Sequence, residues 1–327
     1  MSISRRRMFG GGIPAFALVT DANISAYKPQ CSADGMVISA RVDQNYASGI
    51  IKNNNDVFTR EFSYGTSIGT RGQDISISAD GTFFLMATSP LAGSRGVSLY
   101  RLVGGVWTYI YSVHTGVYQA SGFRIPHNSN FVPLYGVETM WEAIVRVSAD
   151  SVSGHGYILE DTLNDTFLSP PVSSDNMDYI ASIGYFYSNL IWRTSGDNYT
   201  NISPINFSAG YSDVFSRCCD SDMNNIYITI HGNANPRNAK FLHFVRNGGT
   251  VSLASTINLP NSNGVSSVCC SRDGKRVFVV NGTDLHVYYK MELVQTLALS
   301  QNGECCCDEK GNNVYVGAGR LQLFRTQ

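Results

Sequence analysis

Residues 266–300, SSVCCSRDGKRVFVVNGTDLHVYYKMELVQTLALS, hold four short apolar runs separated by turns, and this unit constrains the fold more than any other feature. One run enters the turn at Asp273-Gly274. Strands follow over Arg276 to Val280, Leu285 to Tyr289 and Leu293 to Leu299, with a second turn at Asn281-Gly282. Asp-Gly and Asn-Gly supply the positive φ that tight hairpins need, so consecutive runs read as antiparallel neighbours. Four such strands in one unit are a propeller blade.

The turn recurs along the chain. CSADGMVIS places it at Asp34-Gly35, ISADGTFFLMA at Asp80-Gly81, CCDSDMNNIYITI at Asp222 and CCCDEKGNNVYVGAG at Lys310-Gly311. With 273 these anchors are separated by 46, 142, 51 and 37 residues, and 142 is close to three times 47. Two further anchors are therefore expected between 80 and 222, at Asn128 in FRIPHNSNFVPLYG and at Asp175 in PPVSSDNMDYIASIG. Anchors near 34, 80, 128, 175, 222, 273 and 310 describe an all-β chain: a seven-bladed β-propeller of four-stranded antiparallel blades.

After the last anchor only Asn313 to Gly317 and Arg320 to Arg325 read as strands, one short of a full blade, whereas Ile13 to Thr20 is a spare run at the other end. An open ring would leave exposed sheet edges, so the N-terminal strand is expected to pair with the last blade and close the circle. Residues 13–327 then form one propeller domain, and residues 1–12 a basic flexible lead carrying Arg5, Arg6 and Arg7. The alternative for SRRRMF is a twin-arginine export signal. Three glycines and Pro14 interrupt the apolar segment, and no small-residue cleavage site follows it.

Composition agrees with a β fold. Gly (31), Tyr (18) and Phe (16) are plentiful, while charged residues make up only 15%. With 24 basic against 25 acidic side chains, no bulk charge points to nucleic acid as a partner. No apolar stretch approaches the eighteen residues of a membrane helix.

Eight cysteines raise the question of a metal. Aligned on the turn, Cys31, Cys219, Cys270 and Cys307 stand three residues before the anchor, and Cys218, Cys269 and Cys306 four before it. They are one blade position repeated on the innermost strand, where a thiol packs as a small hydrophobe. Zinc needs ligands converging on one point, and face-packed sheets are expected to hold equivalent residues about 10 Å apart. The histidines at 114, 127, 155, 231, 243 and 286 do not pair with the cysteines in sequence. Neither metal nor other cofactor is expected, and unpaired thiols suit a reducing compartment.

No nucleophile elbow, His-Glu-x-x-His motif or phosphate-binding loop is present, and the run Gly10 to Gly12 lacks the flanking strand and helix of a nucleotide site. A non-enzymatic role is expected. The carboxylates Asp43, Asp56, Glu138, Glu142, Glu160 and Asp161 read as turn and edge residues; a funnel that paired them would instead suit glycoside chemistry. The Asn-x-Ser/Thr triplets at 23, 164, 198, 201, 206 and 281 read as turn chemistry. Tyr109, Tyr111, Tyr118, Tyr185, Tyr187, Tyr199 and Tyr211, set among Ser and Asn, form the palette of an adaptable binding surface, although strand alternation turns half of them inward.

VCCSRDGKRVFV, Val268 to Val279, resembles the inner strand and turn of WD-like propeller repeats, without their Trp-Asp dipeptide or Gly-His start. That resemblance covers three or four blades and implies a scaffold. The basic MSISRRRM start, diverged blades and Asn/Ser/Tyr-rich loops resemble, in general style, virion proteins of tailed bacteriophages. This second resemblance implies an interaction platform in a virion, head- or tail-associated. It would be made in the host cytoplasm in several copies per particle, docked to other virion proteins through Arg5, Arg6 and Arg7, and in contact with a host-surface glycan or protein. The alternatives are an exported bacterial propeller that binds or cleaves carbohydrate, and a cytoplasmic WD-like scaffold.

Overall fold

A computed structural model describes residues 14–42, 47–64, 75–88, 96–114, 124–135, 141–160, 171–183, 188–193, 199–204, 211–232, 239–260, 266–317 and 319–327. Every regular element among them is a strand. β1 (Phe16–Ala22) comes first, followed by a sheet of β2 (Tyr27–Cys31), β3 (Val37–Arg41), β4 (Ser48–Asn54) and β5 (Val57–Tyr64). The second sheet is β6 (Ile75–Ile77), β7 (Phe83–Thr88), β8 (Gly96–Val103) and β9 (Val106–His114). The third has three strands, β10 (Phe131–Tyr135), β11 (Trp141–Val147) and β12 (Val152–Glu160). The fourth is β13 (Val172–Ser173), β14 (Tyr179–Ile183), β15 (Ser188–Arg193) and β16 (Tyr199–Pro204). The fifth is β17 (Tyr211–Cys219), β18 (Asn225–Gly232), β19 (Ala239–Asn247) and β20 (Thr250–Asn258). The sixth is β21 (Ser266–Cys270), β22 (Arg276–Asn281), β23 (Asp284–Tyr289) and β24 (Glu292–Ala298). In the last, β25 (Glu304–Cys307), β26 (Asn313–Gly317) and β27 (Leu321–Thr326) are joined by β1.

Each sheet is an antiparallel meander in chain order, apart from β1, which adds to the edge of β27 with Phe16 opposite Thr326 and Ala22 opposite Leu321. The spare run expected over 13–20 is thus β1, shifted towards Ala22. Among the described residues, no sheet closes on itself. Middle strands such as β22 and β26 are buried on both faces, whereas the outer strands β20 and β24 are largely exposed. The reason is packing: each sheet lies between two others. Phe278 and Val280 of the sixth sheet meet Val314, Val316 and Phe324 of the last in one core, and Tyr315 and Leu323 of the last meet Ile38 and Ile51 of the first in another.

The turns explain the repeat. Ser32 Oγ donates to Asp34 Oδ1 at 2.6 Å, that oxygen accepts from Met36 N at 2.9 Å, and Gly35 takes φ 73°. The same set recurs with Ser78, Asp80 and Gly81 and with Ser271, Asp273 and Gly274. The residue before each anchor bonds to its counterpart in the next sheet: Ala33 N to Ala79 O, Ser221 N to Arg272 O, Arg272 N to Glu309 O and Glu309 N to Ala33 O, at 2.7 to 2.9 Å.

These bonds correct two expected anchors. Asn128 N donates to Asp175 O and Asp175 N to Ser221 O, so Asn128 and Asp175 occupy the place before the anchor. The anchors themselves are Ser129, whose hydroxyl accepts from Phe131 N, and Asn176, which accepts from Ser174 Oγ. The fourth and fifth turns hide because their positive-φ residues are Met177 (62°) and Met223 (55°), which bury their side chains completely. Core packing there offsets the strain that glycine avoids elsewhere.

The third sheet departs from four strands at Arg124 to His127, which precede its turn as an inner strand would. Pro126 has no N–H for a ladder, and Ile125 N donates instead to Ser76 Oγ at 3.0 Å. Arg5, Arg6 and Arg7 lie outside the described residues, as do Asp43, Glu138, Asp161, Tyr118, Tyr185 and Tyr187.

Candidate functional site

The first strands of the sheets, together with Arg124 to His127, surround a central cavity of about 280 Å³. All eight cysteines line it, with Arg124, His127, Asp175, Arg272 and Glu309. The innermost strands run along the cavity, and the repeated offset from the turn brings the same position of each sheet to the same level.

Arg272 spans the turn-side mouth. Its Nε donates to Asp175 Oδ2 at 2.6 Å, and its Nη1 lies 3.5 Å from Glu309 Oε2. With the Asn128 amide turned so that its oxygen faces the guanidinium, that oxygen accepts from Nη2 at 2.7 Å. One side chain from the sixth sheet therefore reaches the third, fourth and last.

Behind this clasp, Arg124 lines the cavity with its side chain exposed. Among its ionisable neighbours are the thiols of Cys270, Cys219 and Cys307 and the Asp175 carboxylate, whose charge favours the protonated guanidinium. Close by, the His127 ring is pushed down to about 4, first by burial and then by the Arg124 charge, so it is neutral at pH 7. Its buried Nδ1 has no hydrogen-bond partner.

The thiols are free, and burial pushes those of Cys218, Cys219, Cys269 and Cys306 well up. They were expected to be about 10 Å apart between sheets. The structure corrects this: the thiol four residues before one anchor is a close neighbour of the thiol three before the next, Cys218 of Cys270, Cys269 of Cys307 and Cys306 of Cys31. The expectation took equivalent positions, but these are diagonal neighbours near the narrow centre of the array. Among the described residues, no three His, Cys, Asp or Glu side chains are grouped to hold a metal ion.

Sequence reasoning missed the clasp, Arg124 and a second repeated motif. Asp-x-x-x-Asn-Asn-x-Tyr occurs at 220–227 and 308–315. In both copies the Asp carboxylate caps the turn, Asp220 accepting from Asn224 N and Asn225 N, and Asp308 from Asn312 N and Asn313 N. The tyrosine then crosses to the next sheet, Tyr227 Oη donating to Gly274 O at 2.7 Å and Tyr315 Oη to Gly35 O at 2.5 Å. The signal was in the chain, since the two octapeptides share four residues at fixed spacing.

On the outside, the hairpin of β8 and β9 is the most apolar exposed element among the described residues. Leu102, Val103, Val106, Tyr109 and Tyr111 are between 37% and 65% exposed. Tyr109 and Tyr111 thus face outward as a binding palette requires, and Tyr199 and Tyr211 begin β16 and β17. Asp56 does not pair with another carboxylate; Arg325 of β27 grips both its oxygens, at 2.9 and 2.5 Å. Glu142 and Glu160 stand on the neighbouring strands β11 and β12.

No family model matches the chain, and no curated protein matches it. Solved structures do. A chain of Kuenenia stuttgartiensis hydrazine synthase superposes with a TM-score of 0.69 at 11% identity, over 98% of this chain and 99% of that one. The β-propeller domain of Myceliophteria thermophila Cps50 (Swd1) superposes with 0.67 at 10% identity, over 95% and 98%. A functionally unknown protein from Desulfotomaculum acetoxidans DSM 771 follows with 0.62 at 13%, over 86% and 88%. This chain therefore has a propeller-like all-β fold. Such likeness shows the fold alone, since one fold hosts many unrelated functions.

Proposed function

We propose that the seven sheets are the blades of one closed propeller and that it works as a protein-interaction platform, with the outer hairpin of β8 and β9 as its contact surface. The pairing of β1 with β27, the bond from Glu309 N to Ala33 O and the Arg325–Asp56 ion pair support closure. The likeness to the Cps50 (Swd1) propeller domain supports the platform.

The observation that carries the contact surface is the exposure of Val103, Val106, Tyr109 and Tyr111 on one hairpin. Large apolar and aromatic groups grouped on one exterior hairpin mark a surface that loses water to a partner. The tip, Gly104-Gly105 at φ 59° and 83°, makes a tight turn that holds the two valines side by side.

The test is a photo-crosslinking amino acid placed at Tyr109, with Leu253 of β20 as the exposed control, in cells that make the protein. A single defined protein captured from 109 and absent from 253 supports the reading. Equal capture at both sites, or none at 109, removes it. The identity of the adduct also decides the setting: a virion subunit would support the phage resemblance.

A further inference from the structure

We propose that the central cavity behind Arg272 is a binding site for a small oxyanion, held by the Arg124 guanidinium. The inference is separate from the platform reading and does not depend on it.

Arg124 lines the cavity with its side chain exposed, and it makes no hydrogen bond or ion pair among the described residues. Its nearest carboxylate, Asp175, is already committed to Arg272 at 2.6 Å. The thiols of Cys219 and Cys307 beside it are held well above their ordinary range by burial and are neutral near pH 7. Among the described residues, five Lys and Arg line the cavity against three carboxylates, a surplus of formal cationic charge. A guanidinium that faces a confined cavity and is not paired with a carboxylate attracts an anion there, where its charge is less screened than in bulk water. The fork of N–H donors suits two oxygens of a carboxylate or phosphate. The unpartnered Nδ1 of His127 is a second polar group at the same cavity. Its volume of about 280 Å³ admits an ion of this size rather than a polymer. Pro126 is the local cause of the arrangement: it keeps residues 124–127 out of a ladder.

The experiment is thermal unfolding and titration calorimetry of the full chain in sodium phosphate, sodium acetate and sodium chloride at one ionic strength. Phosphate or acetate, compared with chloride, is expected to raise the midpoint saturably by several degrees, on the order of what full occupancy of one site gives. Calorimetry is expected to show one site. Arg124→Met should lose that rise while unfolding in chloride no earlier than the unaltered protein. If Arg124→Met does not fold, Arg124→Lys keeps the charge without the fork and should bind about tenfold more weakly or worse. No saturable rise in the unaltered protein overturns the proposal, as does a rise that either variant retains in full.

Discussion

Arg272 Nε lies 2.6 Å from Asp175 Oδ2, joining the turn of the sixth sheet to that of the fourth across the mouth of the central cavity. The intervening fifth sheet contributes Ser221, whose backbone bonds to both residues: its carbonyl accepts from Asp175 N and its N–H donates to Arg272 O. The ion pair and the turn-to-turn bonds are therefore one network. Replacing either partner alone should lower stability by about 1–2 kcal/mol, because the side chains are only partly screened by solvent. A double-mutant cycle of Arg272→Ala and Asp175→Ala in urea should give a coupling near 1 kcal/mol; additivity would mean that the clasp holds nothing.

Tyr315 reaches from β26 to Gly35 O in the first sheet, and its oxygen also accepts from Asn53 Nδ2 at 3.0 Å. Tyr315→Phe keeps the ring and removes both bonds, leaving a buried carbonyl and amide unpaired. A loss of about 1–3 kcal/mol is expected in chemical denaturation. Tyr227→Phe, with a single bond at the corresponding place, should lose less. The reverse order would contradict the assigned contacts.

Burial lowers the affinity of His127, His243 and His286 for protons in the folded protein. The unfolded chain takes up protons near pH 6.5 while the folded one does not, so stability falls as the pH drops below about 6.5. For His127 the fall continues to about 4, where the folded ring titrates too. Unfolding midpoints across this range should therefore decline, and His127→Gln should flatten the decline. An unchanged slope in the variant would show that His127 is proton-accessible in the native state.

Six of the eight thiols are buried and the other two are half-buried. Only the thiolate attacks an alkylating reagent, and burial disfavours it. Labelling with iodoacetamide at pH 8 should be slow in the native protein and reach eight sites in denaturant. Rapid native labelling of Cys218 or Cys306 would be incompatible with the packing described.

Met223 adopts φ 55° with its side chain fully buried among Ile226, Ile228 and Leu242. Met223→Gly relieves the backbone but empties a core site, and the cavity should dominate, with a net loss of about 2 kcal/mol in denaturant unfolding. A gain in stability would show that backbone strain outweighs the packing.

Much of this fold was legible because a propeller repeats its local chemistry. Ser-x-Asp-Gly sets the turn through contacts within four residues, so its copies at 32–35, 78–81 and 271–274 are visible to a reader of sequence alone. Alternation and turn spacing likewise located the strands of the sixth sheet and the extra N-terminal strand. The third and fourth anchors were misplaced by one residue because Ser129 and Asn176 perform the turn's hydrogen bonding without an Asp-Gly signature. Tertiary structure alone decided the site. Arg272, Asp175 and Asn128 are separated by as many as 144 residues, and nothing local favours their meeting; the number of sheets and their packing bring them to one mouth. The sequence by itself determined which segments are strands and where they turn, since those choices rest on short-range sterics and hydrogen bonds. Which side chains share the centre was decided by how many sheets pack together and how each is rotated against the next, a property of the whole array that no single segment encodes.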